Sequence, residues 1–487
     1  MRDDEIRTRL RENNPWWQAA AAAQDPVAWA SDDRSLVARK SFDLGYRSNL
    51  LNDVANGDLD NKLIVLRGPR RVGKSVLLKD TALSLCRRSD IDPRQLIYVA
   101  FDGMTLADLR RAIRLGRELT RSMGELRQIW LLDEVTAVKG WTTELKYQRD
   151  NTPFGNDTVV CTGSSWDDSS NVMRDLMAGR SGERSNRRSR ILHPMSLREV
   201  LIATMRLNPA FEKVRPWELQ SPDSLRIVEN LEPFVDALDL AWQSYLTSGG
   251  FPRAVAENHH AGAVSDSFLE DLASWLHRDV DPDAHADSVP RLLSTIEQHC
   301  SSPLSRKTLA EELGYADGNS FDIRLNRLTH TYAALWCHQI DVDGDRKRGS
   351  QSKMYLTDPL LSWIGPRLRS GIPSPDFTRL TEAALAVSIA RAVDDLQSGR
   401  WESNDAIGYL RTGGGKEIDF SKVPIPSTSG VKQSVPIEAK WVSSRWRSEA
   451  KSIEGYFSSG VVATRTILDT SYPVWAIPAP IVALLLE

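Results

Sequence analysis

Residues 63–75 read LIVLRGPRRVGKS, an apolar run followed by a glycine-rich turn and then by a lysine and a serine. The last eight letters, Gly68 to Ser75, match G-x-x-x-x-G-K-[ST], a pattern in which backbone N–H groups close around phosphates. The helical pattern SVLLKDTALSL follows at once, so the turn joins a strand to a helix, as that mechanism requires. The sequence therefore predicts a phosphate-binding loop.

The predicted ligand of this loop is a purine nucleoside triphosphate, ATP, bound together with Mg²⁺. We expect Lys74 to reach the β- and γ-phosphates, where it also assists catalysis, and Ser75 to offer its hydroxyl to the metal. The positive end of the following helix adds to the attraction. The predicted nucleotide contacts in this loop are Gly68, Arg70, Gly73, Lys74, Ser75 and Val76.

A second apolar run, IWLL at residues 129–132, ends in two carboxylates, Asp133 and Glu134. Because ligands of parallel sheets lie where the strands end, we expect Asp133 to hold Mg²⁺ and Glu134 to activate the attacking water. The alternative is a strand with a solvated acidic end. A third run, TVVCTGSS, ends in hydroxyls, and Ser164 is predicted to bind the γ-phosphate or the attacking water.

The fold class follows from five short apolar runs that alternate with helical stretches between residues 62 and 196. They are LIVLRG, QLIYVAFD, QIWLLDE, TVVCTGSS and RILHPMS. Runs rich in Val, Ile and Leu are typical of strands buried on both faces of a parallel sheet that helices flank. This part is predicted to be α/β, with five parallel strands. From Leu197 to about Pro290 the pattern is helical throughout.

The bulk composition indicates a folded protein of several domains. The chain has 487 residues, more than one core usually organises, and a net charge of −3, so only local basic patches could hold nucleic acid. The four cysteines are far apart, the N-terminus is too charged for a signal peptide, and no apolar run is long enough to span a membrane. We therefore expect a cytoplasmic protein without disulfides or membrane contact.

Residues 303–363 have the order of elements of a winged helix. A helix, RKTLAEEL, is followed by a second helix, SFDIRLNRLTHTYAALW, a basic loop and the strand KMYLT. In such a fold the second helix enters the DNA major groove and the wing contacts phosphates. Arg324, Asn326 and Arg327 would form the reading face, and residues 346–348, Arg-Lys-Arg, the wing. The alternative is a packing module with a solvated basic loop.

Acidic residues of two predicted strands near the end of the chain form a candidate metal site. Asp419 lies in GKEIDF, and Glu438 and Lys440 lie in VPIEAKW. Glu438 and Lys440 are two apart, so on a strand they point to the same face. Together with Asp419 they could hold Mg²⁺, with Asp419 and Glu438 as ligands and Lys440 orienting a water or stabilising phosphodiester charge. Glu382, on a predicted helix, could complete the cluster. The alternative is a solvated salt bridge between Glu438 and Lys440.

Several of these motifs together resemble one family. GPRRVGKS, LLDEV, TGSS, LHPMSLREVL, YLTSGGFPRAV and the early segment NPWW are similar to the prokaryotic AAA-type ATPases that carry a C-terminal domain of unknown function. The resemblance implies a P-loop core of the additional-strand class, a winged helix and a C-terminal domain similar to the PD-D/E-x-K nucleases. It also implies that Asp419, Glu438 and Lys440 are the catalytic residues of that nuclease-like domain.

The basic segment GRSGERSNRRSR contributes a further candidate. The resemblance favours Arg180 among its arginines as a catalytic arginine finger. The same segment could instead contact nucleic-acid phosphates or be a solvated loop. A finger that acts on a neighbouring copy would require a homo-oligomer.

The predicted domains are a helical segment (1–60), a P-loop ATPase core (61–196), a helical lid (197–290), a winged helix (291–370) and a nuclease-like domain (371–487). In the first hypothesis, ATP hydrolysis controls binding or processing of double-stranded DNA by the later domains. In the second, the chain is a nucleotide-driven switch or scaffold that acts on protein partners, and its C-terminal domain is inert. A small-molecule kinase fits the large additions poorly. Whether Asp419, Glu438 and Lys440 converge should discriminate between the first two hypotheses.

Overall fold

A computed structural model describes residues 1–59, 61–120, 127–164, 188–315 and 318–487. The chain divides into two compact units, Met1–His193 and Pro194–Glu487. Each unit has its own sheets and its own clusters of buried residues.

The first unit contains a five-stranded parallel sheet with the strand order β2-β3-β4-β1-β5. The strands are β1 (Leu63–Arg67), β2 (Leu96–Ala100), β3 (Ile129–Asp133), β4 (Thr158–Gly163) and β5 (Ser189–Ile191). These are the five runs read from the sequence, and the predicted α/β fold with five parallel strands is confirmed. Because β4 lies between β1 and β3, one intervening strand separates the strand that precedes the phosphate loop from the strand that precedes the acidic pair.

Helices cover both faces of this sheet. The helices of the first unit are α1 (Asp3–Asn13), α2 (Pro15–Ala21), α3 (Arg34–Lys40), α4 (Asn52–Ala55), α5 (Lys74–Cys86), α6 (Leu106–Leu119) and α7 (Trp141–Asn151). Successive residues of β1 point to opposite faces: Leu63 and Val65 belong to one buried cluster, and Ile64 and Leu66 to the other. The unbroken apolar run at residues 63–66 is the consequence of this double burial.

The outer edge of β2 is covered by the segment between α1 and α2. Asn14 is buried and forms two hydrogen bonds with the backbone of Tyr98, one to its carbonyl at 2.9 Å and one from its N–H at 2.6 Å. The indole N–H groups of Trp16 and Trp17 both donate to the carbonyl of Leu96, at 3.0 and 2.7 Å. Side chains thus satisfy backbone groups that an edge strand would otherwise leave unpaired.

The second unit is rich in helices. They are α8 (Leu197–Ala203), α9 (Pro222–Leu231), α10 (Val235–Ser248), α11 (Pro252–Ala261), α12 (Asp266–Val280), α13 (Ser288–His299), α14 (Arg306–Glu312), α15 (Gly318–His330), α16 (Pro359–Leu368), α17 (Phe377–Leu396), α18 (Arg447–Glu454) and α19 (Ala479–Leu486). The helices α8 to α12 fall within residues 197–290, where the sequence pattern is helical throughout.

The strands of the second unit form two sheets and a hairpin. They are β6 (Ala334–Ile340), β7 (Ser352–Leu356), β8 (Gly408–Arg411), β9 (Glu417–Ile418), β10 (Pro424–Ser427), β11 (Gly430–Gln433), β12 (Ile437–Ala439), β13 (Gly460–Thr464) and β14 (Val474–Pro478). One sheet has the order β7-β6-β8-β9, another is the parallel set β12-β13-β14, and β10 pairs with β11.

The four-stranded sheet joins strands from both sides of residue 370, where the sequence predicts a domain boundary. Strand β6 pairs antiparallel with β7 and parallel with β8. The insertion after Phe420 forms the hairpin β10–β11, and Phe420 still exchanges two backbone hydrogen bonds with Ile437, at 3.0 and 2.8 Å. The chain segments that carry Asp419 and Glu438 therefore remain paired despite the insertion.

In the part of the chain that the structure describes, every helix is either too short or too polar to cross a membrane.

Candidate functional site

The turn between β1 and α5 has the backbone conformation that a phosphate loop needs. Gly68, Arg71 and Gly73 have φ values of 140°, 69° and 97°, a region that glycine enters without strain. A Cβ atom on Gly68 would lie 2.1 Å from the carbonyl oxygen of Leu192. The first glycine is therefore required both by its dihedral angle and by the close approach of the chain leading out of β5.

Lys74 is the first residue of α5, and its side chain is buried against its own loop. The ammonium donates to the carbonyl oxygens of Gly68 and Pro69, at 2.9 and 2.8 Å. Ser75 and Val76 follow in the first turn of the helix, where N–H groups lack intrahelical acceptors and the helix dipole is positive. The loop thus presents backbone donors and one ammonium, which is what a polyphosphate requires.

Asp133 is the last residue of β3 and is 4% exposed. The hydroxyl of Tyr98 donates to its Oδ2 at 2.7 Å, and the hydroxyl of Thr162 donates to its Oδ1 at 2.6 Å. Burial and the neighbouring Asp133 carboxylate raise the pKa of Tyr98, so the phenol remains a donor. Neighbouring strands thus fix this carboxylate from both sides. Tyr98 is not among the residues predicted from sequence, because its contact with Asp133 depends on the pairing of β2 with β3.

Glu134 follows in the left-handed backbone region, with φ of 52°. Its N–H donates to Thr162 Oγ1 at 3.0 Å, and its Oε2 accepts from the Ser164 hydroxyl at 3.1 Å. Gly163, between these two hydroxyl residues, could carry no side chain, since its Cβ would lie 1.8 Å from Thr136 Oγ1. The two predicted residues Glu134 and Ser164 are therefore in direct contact.

The geometry fits a nucleoside triphosphate with Mg²⁺. The phosphate loop follows β1 and the carboxylates follow β3, so both lie at the carboxyl edge of the sheet. They are separated by two strand spacings, about 10 Å. A triphosphate chain held at the loop would extend toward the acidic pair, and Ser75 and Asp133 offer the oxygen ligands that Mg²⁺ prefers. Arg180, the predicted finger, lies outside the described residues.

The predicted C-terminal residues also converge. The ammonium of Lys440 lies 3.1 Å from Glu438 Oε1 and 3.8 Å from Asp419 Oδ2. The N–H of Asp419 donates to Glu438 Oε2 at 3.3 Å, and Asp419 Oδ2 accepts from the N–H of Ala439 at 3.1 Å. Both carboxylates are buried, so this is not the solvated salt bridge of the alternative interpretation.

A lysine that the sequence analysis missed, Lys353 on β7, lies in the same cluster. Its ammonium is 3.0 Å from Asp419 Oδ1, 3.3 Å from Glu382 Oε1 and 3.3 Å from Glu417 Oε2. Lys353 is fully buried. From the sequence alone, a lysine next to a polar loop is expected to be exposed to solvent. Its position could be recognised only once β6–β7 was known to pair with β8–β9.

Electrostatics within the cluster follow from burial and from these pairs. Burial disfavours the charged Lys353, but Asp419 and Glu382 outweigh it and raise its pKa well above the usual range. Burial also opposes ionisation of Asp419, yet Lys353 and Lys440 hold its pKa below the usual value. Glu438 has a pKa raised to about 8, by burial and by the charge of Asp419. The cluster is therefore organised around an ionised Asp419.

The predicted DNA-reading residues lie on α15. Arg324 forms an ion pair with Asp281 at 2.7 Å and stacks on the ring of Tyr315, and Arg327 donates to the carbonyl of Val280 at 3.1 Å. Asn326 is exposed. Residues 346–348 of the predicted wing, in the connection between β6 and β7, are exposed as well. The winged-helix assignment itself stays a prediction.

Comparison with family models finds matches in two segments. Residues 60–201 match the model of an AAA domain. This segment therefore resembles AAA domains. The match includes the phosphate loop, the acidic pair at the end of β3 and the hydroxyls at the end of β4. A separate match covers residues 240–363, to a domain of unknown function (DUF8612). Comparison with curated proteins found no match.

Solved structures that resemble the chain include the following three proteins. A Walker-type ATPase of Pyrococcus abyssi is 17% identical, over 62% of this chain and 91% of its own, with a TM-score of 0.33. The ORC2 protein of Aeropyrum pernix, in ADPNP and ADP complexes, is 13% identical over 68% and 97%, with a TM-score of 0.30. RuvB of Thermotoga maritima is 14% identical over 56% and 81%, with a TM-score of 0.25. Likeness this low supports no statement about the function of the AAA-type domain.

Proposed function

We propose that the chain hydrolyses ATP with Mg²⁺ at the carboxyl edge of the five-stranded sheet. The observation that carries this proposal is a hydroxyl–carboxylate network in which Thr162 and Ser164, at and just after the end of β4, hold Asp133 and Glu134, at and just after the end of β3. The network lies on the same sheet edge as the loop that Lys74 closes. A purely structural acidic strand end would not need both carboxylates positioned beside a phosphate loop.

Each residue then has a specific role. The loop amides and Lys74 bind and orient the β- and γ-phosphates. Glu134 orients the attacking water and accepts its proton, and Ser164 holds the Glu134 carboxylate until the water and γ-phosphate arrive. Ser75 and Asp133 would hold Mg²⁺, which supplies neutralisation of the charge that develops on the phosphates. Arg180 is proposed as the finger that stabilises the same charge.

The test of this proposal is ATP turnover by the full chain and by Glu134→Gln. We expect the variant to retain ATP-dependent thermal stabilisation and to lose turnover by at least about 100-fold, the scale of general-base removal. Lys74→Ala should lose both. Glu12→Gln, on an exposed position of α1, is the matched control and should behave as the wild type. Undiminished turnover in Glu134→Gln would reject the assignment.

We further propose that the nucleotide cycle is coupled to binding or processing of double-stranded DNA by the second unit. The exposed Arg346, Lys347 and Arg348 support this proposal, since such residues bind phosphates. Replacing all three by alanine should weaken DNA binding and make its dependence on salt shallower, by about 0.9 in log–log slope for each phosphate that is no longer neutralised. Lys432→Ala, an exposed lysine on β11, is the control. DNA affinity that does not depend on salt would contradict the proposal.

A second candidate function has an observation in its favour. Arg324, one of the three residues of the proposed reading face, is paired with the buried Asp281, so its positive charge is already partly neutralised within the protein. This favours a nucleotide-driven switch or scaffold that acts on protein partners. ATP turnover measured with and without double-stranded DNA separates the two functions, because only the first predicts stimulation. A homo-oligomer with an arginine finger acting between copies is compatible with either.

A further inference from the structure

The C-terminal cluster has the acidic residues of a metal site, and an ammonium group lies where three of its carboxylates converge. One oxygen from each of Glu382, Glu417 and Asp419 lies 3.0–3.3 Å from Lys353 Nζ. A cation ligated by oxygens occupies such a point of convergence, with shorter distances of about 2.0–2.6 Å, as for Mg²⁺ or Ca²⁺ in general. In this chain the positive charge at that point is part of the polypeptide.

The position of the ammonium is fixed by the fold rather than by a flexible surface arm. Lys353 lies inside the antiparallel pair β6–β7, in register with Cys337, and its side chain has no solvent-exposed area. The ring of Tyr409 on β8 lies 5.4 Å from the ammonium and adds a cation–π contact. An ammonium surrounded in this way cannot swing into water to make room for another cation.

The oxygens that a metal would need are also engaged. Asp419 Oδ1 accepts from Lys353, and its Oδ2 accepts from the N–H of Ala439 and faces Lys440 at 3.8 Å. Glu382 Oε1 accepts from both Lys353 and the Tyr355 hydroxyl, the latter at 2.7 Å. A divalent ion would have to displace these donors and then remain next to a buried positive charge, which a low dielectric environment makes strongly unfavourable.

We propose that Lys353 is the resident cation of this carboxylate cluster, and that it excludes Mg²⁺ and Mn²⁺, so that the C-terminal part of the chain does not cleave phosphodiesters by metal catalysis. The implied metal therefore does not fit the residues present. The cluster becomes an internal ionic link that joins β7, β9, β12 and α17. This proposal does not depend on ATP hydrolysis, because it concerns the second unit alone.

Binding of Mn²⁺ to the nucleotide-free full chain tests the proposal, with the signal of free Mn²⁺ followed by electron paramagnetic resonance. The wild type and Asp419→Asn should give superimposable binding curves, because Asp419 holds no metal in the wild type. Asp133→Asn reports any weak binding at the edge of the first sheet. A site in the wild type that Asp419→Asn removes and Asp133→Asn retains would overturn the proposal.

A gain-of-binding variant provides the second arm. Lys353→Ala frees three carboxylate oxygens around one point, and we expect it to acquire one Mn²⁺ site at least tenfold tighter than any in the wild type. Lys353→Ala with Asp419→Asn should lose that site again. A folded Lys353→Ala protein without the new site would contradict the proposal. If Lys353→Ala does not fold, the wild-type comparison is repeated with Glu438→Gln, because Glu438 is the other predicted metal ligand, and the same two outcomes apply.

Discussion

The hydroxyl of Thr162 lies 2.6 Å from Asp133 Oδ1, so a residue at the end of β4 holds the carboxylate at the end of β3. The same hydroxyl oxygen accepts the N–H of Glu134 at 3.0 Å. One hydroxyl therefore positions both acidic residues, and it does so from the strand that separates them from the phosphate loop. The carboxylates are oriented before any nucleotide arrives, which reduces the rearrangement that catalysis requires.

Thr162→Val should impair turnover more than it impairs folding. Valine keeps the shape but cannot donate to Asp133 or accept from Glu134, and loss of such a supporting partner typically costs about 10- to 100-fold in activity. Steady-state ATP hydrolysis measures the effect. Thr158→Val is the matched control, since Thr158 is buried at the other end of β4 and bonds to the carbonyl of Leu59. Equal losses of turnover in both variants would argue against a positioning role.

Gly68→Ala should be more damaging than Gly73→Ala, although both glycines have positive φ values. A Cβ on Gly68 would lie 2.1 Å from the backbone oxygen of Leu192, whereas the nearest atom to a Cβ on Gly73 is 4.0 Å away. The second substitution adds only backbone strain, about 1–2 kcal/mol, while the first forces β5 to shift. Denaturant unfolding of the two variants should show the difference; similar midpoints would contradict this explanation.

Much of the first unit could be predicted from sequence because its signals are local. Leu63 to Ser75 form a strand, a turn and a helix start in one unbroken stretch, and residues 63–66 and 129–132 are apolar at every position. Tyr98 and Lys353 could not be predicted in the same way. Their partners Asp133 and Asp419 are 35 and 66 residues away, so their roles depend on strand order and on burial, which periodicity does not encode.

Asn14→Ala should destabilise the first unit because it leaves both backbone groups of Tyr98 without their present partner. A buried unsatisfied polar group costs about 1–3 kcal/mol, and Asn14 serves one donor and one acceptor. Chemical unfolding monitored by tryptophan fluorescence should show the loss. Asn13→Ala, at the neighbouring partly buried position, is the control. A wild-type midpoint for Asn14→Ala would show that the edge of β2 is satisfied in another way.

Stability of the second unit should depend on the ionisation of Asp358, which is 1% exposed at the start of α16. Its two oxygens accept the N–H groups of Gly250 and Leu360, at 2.7 and 2.9 Å. Burial nevertheless raises the pKa of Asp358 to about 7. The folded state therefore binds a proton that the unfolded chain has already released, in the range between about pH 4 and about pH 7.

The sign of the effect follows from this difference. The contribution of protonated Asp358 to the free energy of unfolding is fully present below about pH 4. It is lost as the pH rises through about 7, and the free energy of unfolding then falls by up to about 1.4 kcal/mol per pH unit. Asp358→Asn, which has no proton to lose, should reduce the fall in the free energy of unfolding over this range.

Asp376→Asn is the control of opposite sign, because hydrogen bonds from Thr378 and Arg379 overcome partial burial and lower the pKa of Asp376. Its contribution is lost only as the solution becomes more acidic, so this variant should keep the wild-type slope above about pH 4. Parallel curves for the wild type and Asp358→Asn in urea unfolding at stepped pH would show that Asp358 is ionised throughout.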